Sequence, residues 1–472
     1  MKLLSIRTGI LTALAFATLV YPAVAQTNYA RHHAFGPAPE SGEGPRGPLL
    51  LAKNGWCYGT TYQGGSNNVG TLFRIAPGGG DFRVLHHFSD ARFPLSGLIE
   101  TPDGFLCGTS SAGGASNAGT VFRLGFDGDG FQILHTFAPG VATDGDSPLA
   151  ELILGWGGFL YGTTAGGGSN NAGTVFCLRS DGTDFRIIHH FGALMGKHPT
   201  TSLVLGVDGK LYGTTKNGGS NDLGTVYALS TNGNDFTVIH HFQGKAANDG
   251  SLPLGKLLQA RDGLLYGTTC SGGSPADLGT LYRINTNGNG YSILRAFQGS
   301  SQRDGAGPVS GLLQWGQAGV LYGTTPSGGS ANQGLAFAIN TDGTGFAVMR
   351  EFTGTGGDGA EPYSPLTSTA DGVFYGATYY GGVDDNGTLF RISILPPRVI
   401  ITRITLGSDG ADLQFVGGAA ASIYNIEVSP SLAPGSWESI GSRAAHIDGT
   451  FQFHDPSTPA HPTRFYRAVH HP

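Results

Sequence analysis

One position of a repeated phrase carries Asn or Asp every time the phrase returns. The first copy reads GGSNNVG, and the position lies two residues before its last glycine. Converging side-chain oxygens could bind a sugar or a cation there. The same residue types also form Asx turns, in which the short side chain binds the backbone and tolerates left-handed φ. We favour the turn and keep the seven residues as a candidate ligand-binding ring: Asn68, Asn117, Asn171, Asp222, Asp277, Asn332 and Asp385.

Two further polar series also recur from copy to copy. An Asp stands four residues before a proline at Asp90, Asp144, Asp249, Asp304 and Asp358, and Met195 breaks that series. Histidines recur at His33, His86, His135, His189 and His240, with Arg295 and Arg350 in the later copies. Calcium needs six to eight oxygens at one point and zinc needs three or four ligands. One residue per copy cannot converge in this way, so we predict loop caps and hydrogen-bonded packing residues, without metal or cofactor.

No recognisable catalytic motif is present in the sequence. Glycine runs such as Gly64-Gly65 do not open a helix, so a phosphate cradle is not supported. Neither a G-x-S-x-G elbow, nor an HExxH motif, nor paired catalytic carboxylates stand out. The departures from the repeat form no recognisable set: Met195-Gly196-Lys197-His198, Cys270, Arg303 and Tyr379-Tyr380. We therefore predict no catalytic residues.

The repeated phrase itself is about 50 residues apart in successive copies, which indicates an array of one supersecondary unit. Its first copy is YGTTYQGGSNNVGTLF, from Tyr58 to Phe73. The seven copies are anchored at Tyr58, Cys107, Tyr161, Tyr212, Tyr266, Tyr322 and Tyr375. The seven positions above must therefore be held by seven copies of the same local structure. We expect the tyrosine of YGTT to pack between repeats with its hydroxyl bonded, and the paired threonines to lie at an exposed strand end.

Each copy reads as four short antiparallel strands. In the third copy these are strand a (149–154), strand b (159–164), strand c (174–178) and strand d (185–191). The turns Gly157-Gly158 and Asp181-Gly182 join a to b and c to d, and such dipeptides favour hairpins. Seven copies of four strands, without a helical period, predict a seven-bladed β-propeller.

The two ends of the array suggest how the ring closes. The seventh copy stops after strand c, at Ile394, whereas a lone YARHHAF (Tyr29 to Phe35) precedes the first copy and matches strand d. We expect this N-terminal strand to complete blade seven, which would remove an open sheet edge. The longer b–c and d–a loops should then open on one face, where a binding site is expected.

Composition and the N-terminus indicate export. A basic start, the apolar stretch Gly9 to Val20 and the A-x-A site ending at Ala25 resemble a signal peptide, so residues 1–25 should be removed. No further apolar run would span a membrane. The net charge of −6 over 472 residues gives no basic face for nucleic acid. Among four cysteines, Cys57 and Cys107 could pair only if their Cα atoms came within roughly 4.4–6.8 Å, which strands of neighbouring repeats disfavour.

The phrase LYGTT…GGSNNxGTVFRL…DGxxFxxLHxF resembles the GloVer tandem repeat of cyanobacterial and verrucomicrobial proteins. The resemblance covers about residues 28 to 394. It implies an exported or surface protein, often with one of an assorted choice of C-terminal anchors, although no sorting tail is recognisable here. It implies no catalytic residues.

The repeat stops at Pro396-Pro397, and residues 398–472 contain alternating strands. The pattern resembles the fibronectin-III-like modules that end many exported bacterial proteins. A two-sheet sandwich of this kind would bury Tyr424, Ile426, Trp437 and Phe465. The predicted domains are therefore a signal peptide (1–25), a propeller (28–395) and a small β-sandwich (398–472).

These features predict a secreted, periplasmic or surface-bound monomer that is not an enzyme. It would recognise a polymer such as a glycan, or a surface protein, through one propeller face. The alternative is a polysaccharide-active propeller enzyme, a lyase or a hydrolase, because propellers host many functions. A structural surface-layer element is a third alternative, and it would need no site.

Overall fold

The computed structural model describes residues 27–37, 41–140, 144–316, 319–394, 400–407, 409–416, 423–430, 436–444, 450–456 and 465–471. The predicted signal peptide and its cleavage site lie outside these residues. The chain divides into two compact units, of which the larger comprises Tyr29–Trp315 and Gly319–Ile392. The smaller unit contains the C-terminal strands.

The larger unit is built from seven separate four-stranded antiparallel sheets, and none of them closes on itself. Strands a are Leu50–Leu51, Ile99–Glu100, Ile153–Leu154, Val204–Leu205, Leu258–Gln259, Leu313–Trp315 and Thr367–Ser368. Strands b are Cys57–Thr61, Leu106–Ser110, Phe159–Thr164, Lys210–Thr215, Leu265–Thr269, Val320–Thr325 and Val373–Thr378. Strands c are Thr71–Ile75, Thr120–Leu124, Thr174–Arg179, Thr225–Ser230, Thr280–Ile284, Leu335–Asn340 and Thr388–Ile394. Six strands d are Arg83–His87, Gln132–Thr136, Arg186–His190, Thr237–His241, Ser292–Ala296 and Ala347–Glu351.

The N-terminal strand Thr27–Ala34 is the outer strand of the seventh sheet. It lies beside Thr388–Ile394, in the place that strand d takes in the other six sheets. The backbone N–H of Phe35 donates to the carbonyl of Gly387 at 3.1 Å, as Phe137 donates to Gly119 at 3.0 Å. The first strand is therefore bonded to the seventh sheet in the same way as an ordinary strand d.

Strand a is shorter than the sequence suggests. Residues 149–154 were expected to form it, but only Ile153 and Leu154 pair with strand b. The upstream backbone instead serves the preceding sheet, where Thr109 Oγ1 donates to the carbonyl of Ala150 at 2.9 Å. The apolar pattern therefore predicted strand a in the right place but overestimated the number of its residues that pair with strand b.

The threonines of the YGTT phrase join neighbouring sheets. An exposed strand end was expected for them, and this is wrong, because Thr163 and Thr164 are buried. The first of the pair donates to the backbone just before strand a of the next sheet, as Thr163 does to the carbonyl of Thr201 at 3.2 Å. The second bonds within its own sheet, where Thr164 Oγ1 lies 2.7 Å from Thr174 Oγ1. Both hydroxyls are satisfied by partners that the strand pattern alone does not reveal.

The tyrosine of the same phrase was expected to pack between repeats with its hydroxyl bonded. Tyr58 donates to the carbonyl of Phe126 in the second repeat at 3.2 Å. Tyr375, in the seventh repeat, donates to the carbonyl of Pro77 in the first at 3.0 Å. These bonds confirm the expectation for Tyr58 and Tyr375 and join the seventh repeat to the first.

Short ribbons and 3₁₀ turns complete the loops. Two-stranded ribbons pair Ala91–Arg92 with Ala112–Gly113, Gly145–Asp146 with Gly166–Gly167, Gly250–Ser251 with Ser271–Gly272, Gly305–Ala306 with Ser327–Gly328, and Gly359–Ala360 with Tyr380–Gly381. The 3₁₀ turns are Trp156–Gly158, Lys245–Ala247 and Ser300–Gln302. Each ribbon joins a d–a loop to the b–c loop that follows it, so these two loop types form one surface, which we call the loop face.

The smaller unit has two three-stranded sheets. Their strands are Ile400–Gly407, Gly410–Val416 and Phe451–Asp455 in one sheet, and Ile423–Ser429, Glu438–Ala444 and Phe465–His471 in the other. Tyr424 and Ile426 are buried as expected, but Trp437 and Phe465 are only half-buried. Tyr466 is buried instead of Phe465, and its hydroxyl donates to Asp455 at 2.7 Å. The inward-facing residue expected in the last strand was therefore wrong by one position. Side chains alternate along a strand, so a shift of one residue moves each of them to the opposite face of the sheet.

All four cysteines are free thiols in the structure. Cys57 and Cys107 are buried in different apolar clusters, and burial raises the pKa of the Cys57 thiol to about 11 and that of Cys107 to about 12. Neither thiol is therefore poised to ionise at neutral pH.

Candidate functional site

The recurrent histidines of strand d stack on the next repeat. The imidazole of His189 lies 3.9 Å from the Phe236 ring, and an arginine occupies the same place over an aromatic ring in the last two pairs. The seven pairs are His33 with Phe82, His86 with Phe131, His135 with Phe185, His189 with Phe236, His240 with Tyr291, Arg295 with Phe346, and Arg350 with Tyr29. These histidines are packing residues, and their contacts run from sheet to sheet back to the first strand.

The Asp series caps the d–a loops, as expected, in four of its five members. Asp249 accepts from the backbone N–H of Gln243 and Gly250 at 2.9 and 2.6 Å, and from His240 at 3.1 Å. Asp144, Asp304 and Asp358 do the same with His135, Arg295 and Arg350. Asp90 is exposed and makes no side-chain hydrogen bond to the described residues. Burial raises the pKa of Asp249, but hydrogen bonds from His240 and Tyr291 outweigh it and lower the pKa overall.

Histidines without an Asp partner should make the protein acid-sensitive. Burial lowers the pKa of His33 and His189 to about 4, and the Nε2 atoms of both lack a hydrogen-bond partner in the described residues. An unfolded histidine titrates near 6.5. Between about pH 6.5 and pH 4 the unfolded chain therefore binds more protons, so stability falls as the pH falls through that window.

We expect the melting temperature to drop between pH 7.5 and pH 4.5, and the drop to be smaller in His189→Gln. The exposed His198→Gln is the matched control, and its drop should equal that of the wild type. An equal drop in His189→Gln and His198→Gln would contradict the role given to buried neutral histidines.

The seven Asn and Asp residues of the candidate ring are exposed and all adopt left-handed φ, between 50° and 62°. In each, Oδ1 accepts a hydrogen bond from a backbone N–H of the preceding loop, as Asn171 does from Gly167 at 3.0 Å. The other six bonds, at Asn68, Asn117, Asp222, Asp277, Asn332 and Asp385, measure 2.8 to 3.1 Å. The side chains thus build the turn, and ligand contact by these residues stays a prediction.

Asn171→Ala should destabilise the protein by about 1–2 kcal/mol. It removes one hydrogen bond and forces Ala into left-handed φ, each worth about 1 kcal/mol. Asn171→Asp should be nearly neutral, because Asp fills the same place in Asp222, Asp277 and Asp385. Urea unfolding of the two variants checks this, and an equal loss in both would argue against the turn role.

A second set of loop-face residues, each just before a conserved proline, links the b–c loops. The backbone N–H of Phe93 donates to Val69 of the first repeat at 2.8 Å, and its carbonyl accepts from Ser111 of the second at 3.2 Å. Gly44 likewise bonds Asn386 of the seventh repeat and Tyr62 of the first, at 2.9 and 3.1 Å. The set is Gly44, Phe93, Ser147, His198, Leu252, Gly307 and Glu361, all at positive φ. One backbone geometry therefore presents five different side chains, with glycine at the other two positions.

The side chains that depart most from the repeat gather at one place on this surface. Arg46 lies over two phenol rings, with Cζ 4.7 Å from the Tyr363 centroid and 4.6 Å from the Tyr379 centroid. Tyr380 contacts Tyr379 edge-on at 4.6 Å. A Cβ on Gly44 would lie 2.6 Å from Cε2 of Tyr379, so the backbone makes room for that ring. Tyr62 and Phe93, 5.0 Å apart, lie next to it.

We call Arg46, Tyr62, Phe93, Tyr363, Tyr379 and Tyr380 the aromatic–arginine cluster. Other repeats carry Ser111, Ala165, Lys216, Cys270 and Pro326 where this cluster has Tyr62 and Tyr379, and Leu95, Leu149, Thr200, Leu254 and Val309 where it has Arg46 and Tyr363. Burial raises the pKa of Tyr363 and Tyr379, so both phenols stay protonated and can donate hydrogen bonds. Half-exposed rings with polar tips are suited to ligand contact.

Of this cluster, only Tyr379 and Tyr380 were recognised from the sequence as departures from the repeat. Arg46 and Tyr363 each follow the conserved proline directly, and comparing that position across the seven repeats would have found them. The other departures lie elsewhere: Lys197 pairs with Asp222 at 2.8 Å, and Arg303 with Glu351 at 3.3 Å. A charge pair that the repeat pattern does not predict lies just before strand a of the third and fifth repeats, between Glu151 and Lys256 at 2.9 Å.

A cleft of about 430 Å³ lies at the tight-turn ends of the first two repeats. Trp56, Arg74 and Tyr58 line it, with Arg74 Cζ 4.4 Å from the Trp56 ring centroid. No group of three His, Cys, Asp or Glu suited to a metal ion occurs in the described part of the chain. No described helix is long and apolar enough to cross a membrane.

Seven similar sheets with a loop face define an all-β tandem-repeat protein. The chain belongs to the Gloeobacter/Verrucomicrobia repeat family, whose repeat it matches over residues 16–154, 94–273 and 245–414. The resemblance to GloVer repeats is thereby confirmed. No curated protein sequence matches the chain.

Several solved structures are similar to this chain at low sequence identity. An oligogalacturonate lyase in complex with manganese is 10% identical, with 84% of this chain and 98% of that chain covered and a TM-score of 0.50. PorZ, a surface component of the type-IX secretion system of Porphyromonas gingivalis, is 10% identical. The match covers 93% of this chain and 61% of PorZ, with a TM-score of 0.48. The extracellular domain of BT4673 from B. thetaiotaomicron, assigned to the one-component systems, is 11% identical. The match covers 90% of this chain and 54% of that chain, with a TM-score of 0.48. At such identities the likeness concerns the fold alone.

Proposed function

We propose that this chain is an exported, non-enzymatic binding protein that recognises a polymer, in the first place a glycan, through its loop face. The proposal includes cleavage after Ala25, a monomeric state and a fibronectin-III-like C-terminal module. One observation carries it: on the loop face of a frame repeated seven times, the described residues include a cluster of unrepeated aromatic side chains. Aromatic rings with polar tips provide large contact area with little loss of side-chain entropy.

We further propose that the seven sheets form a closed seven-bladed propeller. The stacking of Arg350 on Tyr29 and of His33 on Phe82 supports closure, because it joins the sixth, seventh and first repeats. The bonds Gly44 to Asn386 and Tyr375 to Pro77 support it as well. A closed ring would hold Arg46 of the first repeat beside Tyr363 and Tyr379 of the seventh, which are far apart in sequence.

Non-enzymatic binding fits the charges around the cluster. Glycoside hydrolysis generally needs two carboxyl groups that flank the scissile bond, about 5–9.5 Å apart. Burial, together with the charge of the nearby Glu361, raises the pKa of Tyr363. Glu43 acts more weakly on Tyr379, and no described carboxylate is bonded to Arg46. The residues are arranged for contact, and no acid–base pair is evident in them.

A glycan-array screen of the mature protein, with and without calcium, tests this function. Binding without product formation, independent of calcium, is the expected result. New reducing ends or unsaturated products from a bound polysaccharide would establish the alternative, a lyase or a hydrolase. Absence of binding to every glycan would overturn glycan recognition and leave a surface protein as the partner.

A further inference from the structure

The Arg46 side chain has the features of an anion site, and none of the described residues supplies the anion. Its guanidinium lies over the rings of Tyr363 and Tyr379, with Cζ within 4.7 Å of both centroids. Its Nε is buried and has no hydrogen-bond partner, and no carboxylate among the described residues pairs with it. By contrast, Arg295, Arg350 and Arg179 all pair with an Asp. A buried donor left without a partner is costly, and a charged one more so.

The geometry points to an acidic sugar as the ligand of this cluster. We propose that the carboxylate or sulfate of an anionic polysaccharide accepts hydrogen bonds from Arg46 while the sugar rings lie against the neighbouring tyrosines. The rings of Tyr363 and Tyr379 meet edge to face at 5.9 Å, so they contact the guanidinium from adjacent sides, and N–H groups that meet neither ring can donate to an anion, as Arg does to carboxylates. This inference rests on the proposed function and names the ligand class.

The charge of Arg46 favours an acidic polymer over a neutral one. A neutral sugar would cover Arg46 without matching its charge, and a half-buried unpaired cation is costly. The protonated phenols of Tyr363 and Tyr379 add uncharged donors. The chain carries a net charge of −6, so general attraction of a polyanion is not expected and binding must come from a local site.

The neighbouring acids limit how the anion can approach. Glu361 lies beside Tyr363 and Glu43 near Tyr379, and both repel an anion that sits on the outer side of either ring. The bound carboxylate must therefore face Arg46 directly. Glu361→Gln should tighten binding of an acidic polymer by a fewfold, since it removes this repulsion.

Calorimetric titration of paired polymers tests the proposal. The probes are polygalacturonate and fully methyl-esterified galacturonan, which share their rings and differ in charge, together with alginate and chondroitin sulfate. At least one acidic probe should bind about tenfold or more tightly than the ester, as expected for a charge-assisted pair. Arg46→Gln should abolish that preference, and Arg46→Lys should keep part of it.

Arg74→Gln is the matched control. Arg74 also lies over an aromatic ring and also has a buried, unpartnered Nε, but at the tight-turn ends of the sheets. Its removal should leave acidic binding unchanged, and melting curves should confirm that all variants fold. Chondroitin sulfate carries both carboxylate and sulfate groups, so its comparison with unsulfated chondroitin shows whether sulfate or carboxylate is the preferred anion.

Several outcomes would overturn the acidic-sugar proposal. Equal binding of the acid and its ester, lost on mutation of Tyr363 and Tyr379, would leave the proposed function standing and remove the acidic preference. Loss of binding in Arg74→Gln with Arg46→Gln unaffected would move the site to the cleft. Arg46-dependent binding of polyglutamate in place of the sugars would identify an acidic protein as the ligand. Absence of binding to all the polysaccharide probes would overturn the acidic-sugar proposal, while the proposed function would still be decided by the neutral glycans of the array.

Discussion

Phe35→Ala should destabilise the protein by about 3–5 kcal/mol, the usual cost of truncating a fully buried Phe. The Phe35 side chain is inaccessible to solvent. Its ring lies 5.4 Å from Phe73 and 5.6 Å from Phe82, both of the first repeat. A residue that close to the N-terminus would normally contribute little, since chain ends fray. A large loss is expected here because the strand before Phe35 completes the seventh sheet.

Phe137→Ala is the matched comparison. Phe137 occupies the same place after an interior strand d, is equally buried, and lies 5.2 Å from Phe176 of the next repeat. Urea unfolding should give similar losses for the two variants. If Phe35→Ala leaves the unfolding midpoint unchanged while Phe137→Ala lowers it, the N-terminal strand does not close the repeat array.

Asp304→Ala should cost about 3 kcal/mol, the lower end of the range for breaking a buried ion pair. Asp304 is 2% exposed and binds Arg295 at 2.9 Å, together with the backbone N–H groups of Gln298 and Gly305 at 3.0 and 2.8 Å. The substitution leaves both N–H groups without their acceptor. The Arg295 side chain is 29% exposed, so water can partly solvate its charge, which keeps the loss at the lower end.

Asp90→Ala provides the control at the same repeat position. Asp90 is exposed and its carboxylate has no described partner, so we expect a loss below about 0.5 kcal/mol, as for ordinary surface substitutions. Thermal or urea unfolding of both variants measures the difference. Equal losses would mean that the loop cap at Asp304 contributes no more than an exposed Asp.

The sequence predicted most of the frame because the frame repeats. Strand b of the third repeat was predicted with its observed ends, Phe159 and Thr164. The Asx turn at Asn171 followed from the short polar side chain, and the match of YARHHAF to strand d located the N-terminal strand. Each of these depends on local residue chemistry that recurs several times, so errors in one copy are corrected by the others.

The candidate site could not be predicted in the same way. Arg46 meets Tyr363 and Tyr379 only because strands from the two ends of the array are neighbours, and no local pattern carries that information. Thr163 can be buried because its hydroxyl donates to the carbonyl of Thr201 in the next repeat. Strand a is short for a similar reason, since the backbone before it accepts a hydrogen bond from the preceding repeat, as Ala150 does from Thr109. Contacts between repeats, which the spacing of residues does not reveal, therefore determine the site, the burial of Thr163 and the length of strand a.

The most direct test of the account is the affinity of the glycan selected on the array for Tyr363→Ala/Tyr379→Ala, measured by calorimetry beside wild type and Trp56→Ala. Trp56 lines the cleft at the opposite ends of the sheets and serves as the aromatic control. Loss of two stacking rings should weaken binding by about 5- to 150-fold, with each ring contributing about 0.5–1.5 kcal/mol. Trp56→Ala should bind like the wild type. Unchanged affinity in the tyrosine variant, or a loss confined to Trp56→Ala, would contradict recognition through the loop face.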